Sequence, residues 1–290
     1  MKKKLIYFFF GFGQVAKYFT KDLIRSKKNF TFFTTNTKKT GSFRFQNKKF
    51  RSFKFKDNKF DKRLLDKLES SDYILISIPP KNKKDLVLQS FYKILIGLKF
   101  KKIIYLSATS VYGNHNGKWV NEKSKLKGQS LFGVGRKIVE RDWIKLKNKT
   151  NLDINILRVS GIYSKESNVL KKIKKTKLYV KEKKYFSRIR VEDLANVIKK
   201  TFLSTKKGLI LNASDDKPST NVEVARYAAK LLKIKSLKSV PISKFKNPLI
   251  KEFYKDSKKV SNKKMKKELK LKLKYPTYRQ GLKNIFNNYI

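Results

Sequence analysis

Gly11-Phe12-Gly13-Gln14-Val15-Ala16 is the first stretch whose residue types and spacing could do chemistry. A Gly-x-Gly-x-x-Ala turn between a strand and a helix suits a pyrophosphate. Gly11 permits the turn, Gly13 lets the backbone approach the phosphates at the helix N-terminus, and small Ala16 allows close helix packing. Gln14 and Val15 complete the expected dinucleotide cradle. At the end of the next apolar run stand Thr34, Thr35 and Asn36, with Lys38 and Lys39 behind them. An acidic residue would be needed there to grip the ribose 2′-hydroxyl of NAD, and none is present. Hydroxyls, an amide and positive charge suit a 2′-phosphate, so NADP is slightly favoured over NAD. A third group, Ser107 to Gly113, offers Thr109, Ser110 and Tyr112 as acid/base candidates, with Glu122 and His115 nearby. Each has a plainer reading: a packed aromatic for Tyr112, a loop hydrogen-bonder for Glu122, a solvated loop residue for His115.

Composition removes much other chemistry. With no Cys, disulfides, thiol nucleophiles and Cys-ligated zinc are excluded, and a single His leaves no multi-His metal site or Ser-His-Asp triad. At 290 residues and 40% hydrophobic the chain can bury a core without staples. The formal charge of +53 has two readings, a selected polyanion-binding surface and compositional drift. Only 11 of the 74 basic residues are Arg, the type favoured for bidentate phosphate and base recognition, and the Lys residues are spread along the chain. Drift is the simpler account, and nucleic acid is not expected as a partner.

Met1-Lys2-Lys3-Lys4 followed by Leu5–Phe10 resembles the opening of a secretory signal, but cleavage after Ala16 would put Gln14 where a small residue is wanted. No apolar run approaches the ~18 residues of a membrane span. A cytoplasmic protein without a membrane partner is expected.

The elements that must position these groups alternate. Strands are expected over 4–10, 30–35, 50–55, 73–78 and 103–107, and helices over 15–25, 61–70 and 85–98. This pattern predicts an α/β fold, a Rossmann-type doubly wound parallel sheet, with ligands beyond the carboxyl ends of its strands. The loops holding Gly11, Thr34, Ile78 with Pro79, and Ser107 should converge. Residues 1–160 are expected as the NAD(P)-binding core and 161–290 as a smaller interleaved substrate lobe. Within that lobe, helices are predicted over 167–176, 191–204 and 220–232, strands over 185–189 and 209–212, and short helices near Phe253 and Met265 before a last one over 277–288.

Five stretches taken together resemble the extended short-chain dehydrogenases/reductases, the NAD-dependent epimerase/dehydratase family. They are Gly11–Ala16, Tyr105–Gly113, Leu157–Tyr163, Arg188–Ala195 and Leu211–Pro218. Gly117–Glu122 and Val260–Lys264 resemble a small atypical bacterial branch of it. The resemblance implies hydride transfer aided by a Tyr, a Lys four residues later and an upstream Ser or Thr, and often a homodimer. All three catalytic positions depart from that pattern: Ala108 stands at the Ser/Thr position, Phe132 at Tyr and Arg136 at Lys. Phe has no proton to give, while Arg136 keeps a positive charge for the cofactor ribose. Tyr179 with Lys183 and Tyr254 with Lys258 repeat the Tyr-x-x-x-Lys spacing. Neither pair lies on the helix after the fifth strand, and position sets both aside. The implied activity is an oxidoreductase or epimerase acting on a sugar-like or nucleotide-linked substrate. The alternative is a non-catalytic dinucleotide sensor.

Overall fold

The computed structural model describes residues 4–97, 99 and 101–290. Met1 to Lys3 and Leu98, the expected end of the third helix, lie outside the described residues. The chain divides into two compact units. The first comprises Met1–Ser107, Ile138–Leu157 and Ala195–Ile210, and the second Ala108–Lys137, Arg158–Leu194 and Leu211–Ile290.

The chain opens with β1 (Leu5–Phe10), α1 (Gln14–Arg25) and β2 (Phe30–Asn36), then continues through β3 (Gly41–Phe45), β4 (Lys48–Lys56), β5 (Lys59–Phe60) and α2 (Leu64–Glu69). Next come β6 (Tyr73–Ile76), α3 (Leu86–Gly97), β7 (Lys102–Ala108), β8 (Trp119–Val120), α4 (Leu131–Lys149) and β9 (Ile154–Val159). The later elements are β10 (Gly161–Tyr163), α5 (Val169–Thr176), β11 (Leu178–Val180), β12 (Tyr185–Phe186), β13 (Arg188–Arg190), α6 (Val191–Leu203) and β14 (Ile210–Ala213). The main sheet has the order β14-β9-β7-β6-β1-β2-β4-β3, with β5 on β4. The succession β4-β2-β1-β6-β7-β9 is the Rossmann order, and its direction of winding reverses between β1 and β6. The expected α/β fold is the fold found.

β1 shows why these residues form a central strand. Its last four residues are buried on both faces of the sheet. Phe8 and Phe10 join Leu64 and Leu68 of α2, Phe91 and Leu95 of α3, and Val139 and Trp143 of α4. On the opposite face Tyr7 meets Phe19 of α1 at 5.7 Å and Phe202 of α6 at 5.9 Å between ring centroids. Helices thus cover both faces, as double winding requires.

One connection departs from the expected alternation. β2 and β4 are parallel neighbours, a pairing that a helical crossover usually joins. Here the link is β3, which runs antiparallel along β4 from Gly41↔Ser52 to Phe45↔Lys48. The polar–apolar alternation of Gly41-Ser42-Phe43-Arg44-Phe45 is the strand signature, and Gln46 at φ 53° makes the turn.

The second unit is built from short pairs and capped helices. α5 packs with α7 (Asn221–Leu231) and, after the short helices α8 (Pro248–Phe253) and α9 (Lys263–Glu268), with α10 (Tyr278–Tyr289) around Leu170, Ile173, Ala228 and Leu282. Thr220 and Glu223 form a capping box on α7, and Thr277 and Gln280 form one on α10. The strand expected over 185–189 is divided at Ser187: β12 pairs antiparallel with Ser219–Thr220, while β13 pairs in parallel with β10.

Candidate functional site

In the first unit the glycine turn follows β1 directly. Gly11 sits at φ +87°, and a Cβ there would lie 3.1 Å from the Ser77 hydroxyl and 3.3 Å from Ile78. Its N–H donates to Thr35 Oγ1 at 2.9 Å, and Ser77 Oγ donates to the Phe10 carbonyl at 3.0 Å. The ends of β1, β2 and β6 are therefore tied together around the turn. Gly13 differs: a Cβ built on it meets nothing within 4 Å, and it precedes α1 with no side-chain cap and no acidic residue in the first turn. The helix N-terminus faces open space at the backbone position where the motif expects phosphate. Ala16 is fully buried, as close packing of α1 demands. Gln14 and Val15 begin α1, Ile78 flanks Gly11, Pro79 is exposed, and Ser107 Oγ donates to Glu140 Oε2 at 3.1 Å.

The residues expected near a ribose have distinct roles. Thr35 is committed to Gly11. Asn36 folds its own loop, accepting from the Lys38 and Lys39 N–H groups at 2.8 and 3.0 Å and donating to Ser52 at 2.7 Å. Thr34 is buried with an unpartnered hydroxyl. With Lys17, Lys38, Lys39, Phe12 and Phe50 it lines a cavity of about 620 Å³.

The second unit holds the hydroxyl candidates. Thr109 and Ser110 line a cavity of about 80 Å³ together with Phe132, Tyr185, Asp256 and Lys258. The Ser110 hydroxyl is buried without a hydrogen-bond partner. Gly133 brings the start of α4 against this loop, since a Cβ there would lie 2.7 Å from the Ser110 carbonyl oxygen. Arg136 follows on α4, half-buried.

Tyr112 lies apart from these hydroxyls. It is fully buried, donates to Asn212 Oδ1 at 2.7 Å and accepts from Arg158 at 3.0 Å. Burial pushes its phenol up to about 12 despite the nearby guanidinium. A group so enclosed keeps its proton and organises the loop. Glu122 accepts from the Asn212 N–H at 2.8 Å, and His115 Nε2 lies 3.2 Å from the Lys125 carbonyl oxygen. Position in sequence set Lys258 aside, yet it reaches the cavity of Thr109 and Ser110. A lysine in an otherwise cationic tail carries no linear signal for that placement.

A second cavity in this unit, about 380 Å³, is lined by Asn168, Lys172, Tyr179, Arg188, Asn221 and Tyr254 among others. Asn168 caps α5, accepting from Lys171 N–H at 3.1 Å. Arg188 donates to the carbonyls of Phe186 and Ser219 and to Asn221 Oδ1. Burial lowers its guanidinium, while Asp215 acts against that shift. Among the described residues no group of three or more His, Cys, Asp or Glu could hold a metal, and no helix is long and apolar enough to cross a membrane.

No protein-family model matches the chain, and no curated protein does. Solved structures do. A conserved protein of unknown function from Silicibacter pomeroyi DSS is 26% identical, covering 98% of this chain and 99% of that one at a TM-score of 0.84. The dTDP-glucose 4,6-dehydratase of Bacillus anthracis str. Ames, solved in complex with NAD, is 16% identical over 98% of this chain and 96% of its own, with a TM-score of 0.77. UDP-N-acetylglucosamine 4-epimerase from Methanobrevibacter ruminantium M1, solved with UDP-N-acetylmuramic acid, is 15% identical over 99% of this chain and 98% of its own, with a TM-score of 0.76. By fold the chain is a Rossmann-type α/β protein. That fold is shared with the epimerases and dehydratases among the extended short-chain dehydrogenases/reductases, so the resemblance read from the sequence holds at the level of fold.

Proposed function

We propose that the protein is a nicotinamide-dinucleotide-dependent enzyme of the oxidoreductase or epimerase type, acting on a sugar-like substrate carried on a nucleotide. The turn from Gly11 to Ala16 carries this reading: it pairs a strained glycine held by Thr35 and packed against Ser77 with a second glycine whose Cβ position is open. That combination suits a pyrophosphate and serves no packing purpose at Gly13. Gly11, Gly13, Gln14, Val15 and Ala16 would hold the phosphates, with Ile78, Pro79, Ser107 and Arg136 assigned to the rest of the dinucleotide. Lys38, Lys39 and the unpartnered Thr34 favour a 2′-phosphate and hence NADP. When bound, the nicotinamide supplies a hydride acceptor or donor.

The cavity around Arg188 and Asn168 suits the anionic, hydrogen-bonding character of a nucleoside diphosphate. This agrees with the nucleotide-sugar enzymes that share the fold. The same reading includes a cytoplasmic homodimer whose ligands are small molecules.

The rival reading, a dinucleotide sensor without turnover, draws support from Phe132, whose ring offers no proton. Titration with NADPH and NADH by nicotinamide fluorescence, with Gly13→Asp as control, tests the cofactor site. Saturable binding lost in the variant is expected, and absence of binding to either dinucleotide would overturn the proposal. A screen of nucleoside-diphosphate sugars then separates the two readings. The triple variant Ala108→Ser, Phe132→Tyr, Arg136→Lys should gain little turnover if the chain already uses other groups.

A further inference from the structure

A 2′-phosphate leaves most of one cavity in the first unit unfilled. The space lined by Lys38, Lys39 and Thr34 measures about 620 Å³, within the ~300–1,000 Å³ of pockets that enclose drug-sized ligands. One water takes up about 30 Å³ of liquid, and a phosphate group only a few times that.

The rest of the space is aromatic because of how β3 and β4 pair. Side chains alternate along a strand, so Phe43 and Phe45 share one face of β3, and the register Phe43↔Phe50 puts Phe50 of β4 on that face too. Phe12 from the glycine turn closes against them, its ring centroid 5.3 Å from Phe45 and 5.0 Å from Phe50. Behind Phe50 lies Phe32 of β2, stacked at 4.7 Å. Phe43 stacks on Phe50 at 5.9 Å yet keeps 37% of its surface exposed, and Phe12, Phe45 and Phe50 are only half-buried. Apolar side chains scattered singly on a surface need no explanation, whereas a concave cluster of rings marks a binding surface.

Charge decides what this surface accepts. Lys17 in the first turn of α1 lines the same space as Lys38 and Lys39, and no acidic side chain is among the described residues that do. The ring faces suit a planar apolar body, and the unopposed lysines suit an anion. A cationic ligand would be repelled, and a neutral one would gain nothing from the lysines.

We propose that this cavity binds a small planar aromatic anion, a carboxylate or sulfonate on a fused-ring body, with its rings against Phe43, Phe45 and Phe50 and its charge towards Lys38 and Lys39. The site stands without a dinucleotide. Its sharing of Lys38 and Lys39 with a 2′-phosphate rests on the cofactor reading above, and it makes the ligand a competitor of NADPH and not of NADH.

Isothermal titration of the full chain with 2-naphthoate should show a single saturable site. Phe43→Ser, at an exposed position, and the double variant Lys38→Gln, Lys39→Gln should each weaken binding about tenfold while melting as the wild type does. Wild-type protein should bind 2-naphthylmethanol, which keeps the rings and lacks the charge, about tenfold more weakly as well. Saturating NADPH should displace naphthoate, and saturating NADH should not. No saturable binding, equal affinity for the alcohol, or wild-type affinity in both variants overturns the proposal. Naphthoate that stays bound at saturating NADPH overturns the sharing of the lysines. Protein that binds naphthoate but neither dinucleotide supports this site and overturns the cofactor reading, so the two fail separately.

Discussion

Ser77 donates its hydroxyl to the Phe10 carbonyl at 3.0 Å, fastening the end of β6 to the end of β1 at the residue before the glycine turn. The two glycines that follow should therefore answer differently to a side chain. Gly11→Ala places a methyl group at φ +87° and against Ser77, and should destabilise the fold by about 1–2 kcal/mol. Gly13→Asp has room for its Cβ, so the melting temperature should change little while dinucleotide affinity falls at least about tenfold. Thermal melts beside fluorescence titrations separate the effects. Equal destabilisation by both substitutions would refute the distinction.

Tyr112 was a candidate acid on sequence grounds, but its bonds to Asn212 and Arg158 make it a structural group. Tyr112→Phe should cost about 1–3 kcal/mol in chemical denaturation, because Asn212 and Arg158 lose a buried partner. The pH profile of turnover should stay that of the wild type. A lost alkaline limb would return Tyr112 to the proton path.

Asp215 sets a pH dependence of stability. Burial raises its carboxyl from the ordinary 3.8 to about 8, with Arg188 opposing the shift. A carboxyl raised in the folded state favours folding fully below its unfolded value, and that contribution is lost as pH rises towards the folded value. Wild-type melting temperature should accordingly fall between about pH 4 and 8, and Asp215→Asn should flatten this slope. A variant with the wild-type slope would show that another group controls it.

Lys102 and Asp153 form a buried ion pair at 3.1 Å in the first unit, and Lys102 also donates to the carbonyls of Ser204 and Lys206. Removing one partner leaves the other charge buried. Lys102→Met should cost about 3–5 kcal/mol, and adding Asp153→Leu should recover part of the loss. Chemical denaturation of the single and double variants measures this, and additive losses would mean the two charges are not coupled.

Elements with strong local signatures are legible in the sequence. The apolar run before Gly11 and the glycines after it gave strand, turn and helix, because burial on both faces and a φ only glycine tolerates well leave few alternatives. The helix expected over 220–232 likewise starts on a local signal, the capping box that Thr220 and Glu223 form on α7. β3 was not expected although its alternation is present, because an antiparallel insertion between two parallel neighbours has no place in the strand–helix alternation that the rest of this unit follows. Lys258 was beyond reach for another reason. Its proximity to Ser110 arises only when distant segments meet, and no spacing rule records the desolvation of one lysine among 63.

The strand that replaces a helix between β2 and β4 also leaves the main sheet ending on β3. A terminal strand offers unpaired backbone N–H and C=O groups as a template for another chain. Arg44 on β3, with Lys48 and Lys49 on the strand beside it, would be brought against their own counterparts if two copies paired there. Like charges oppose that approach most strongly at low ionic strength, so the cationic composition protects this border from fibre-like stacking.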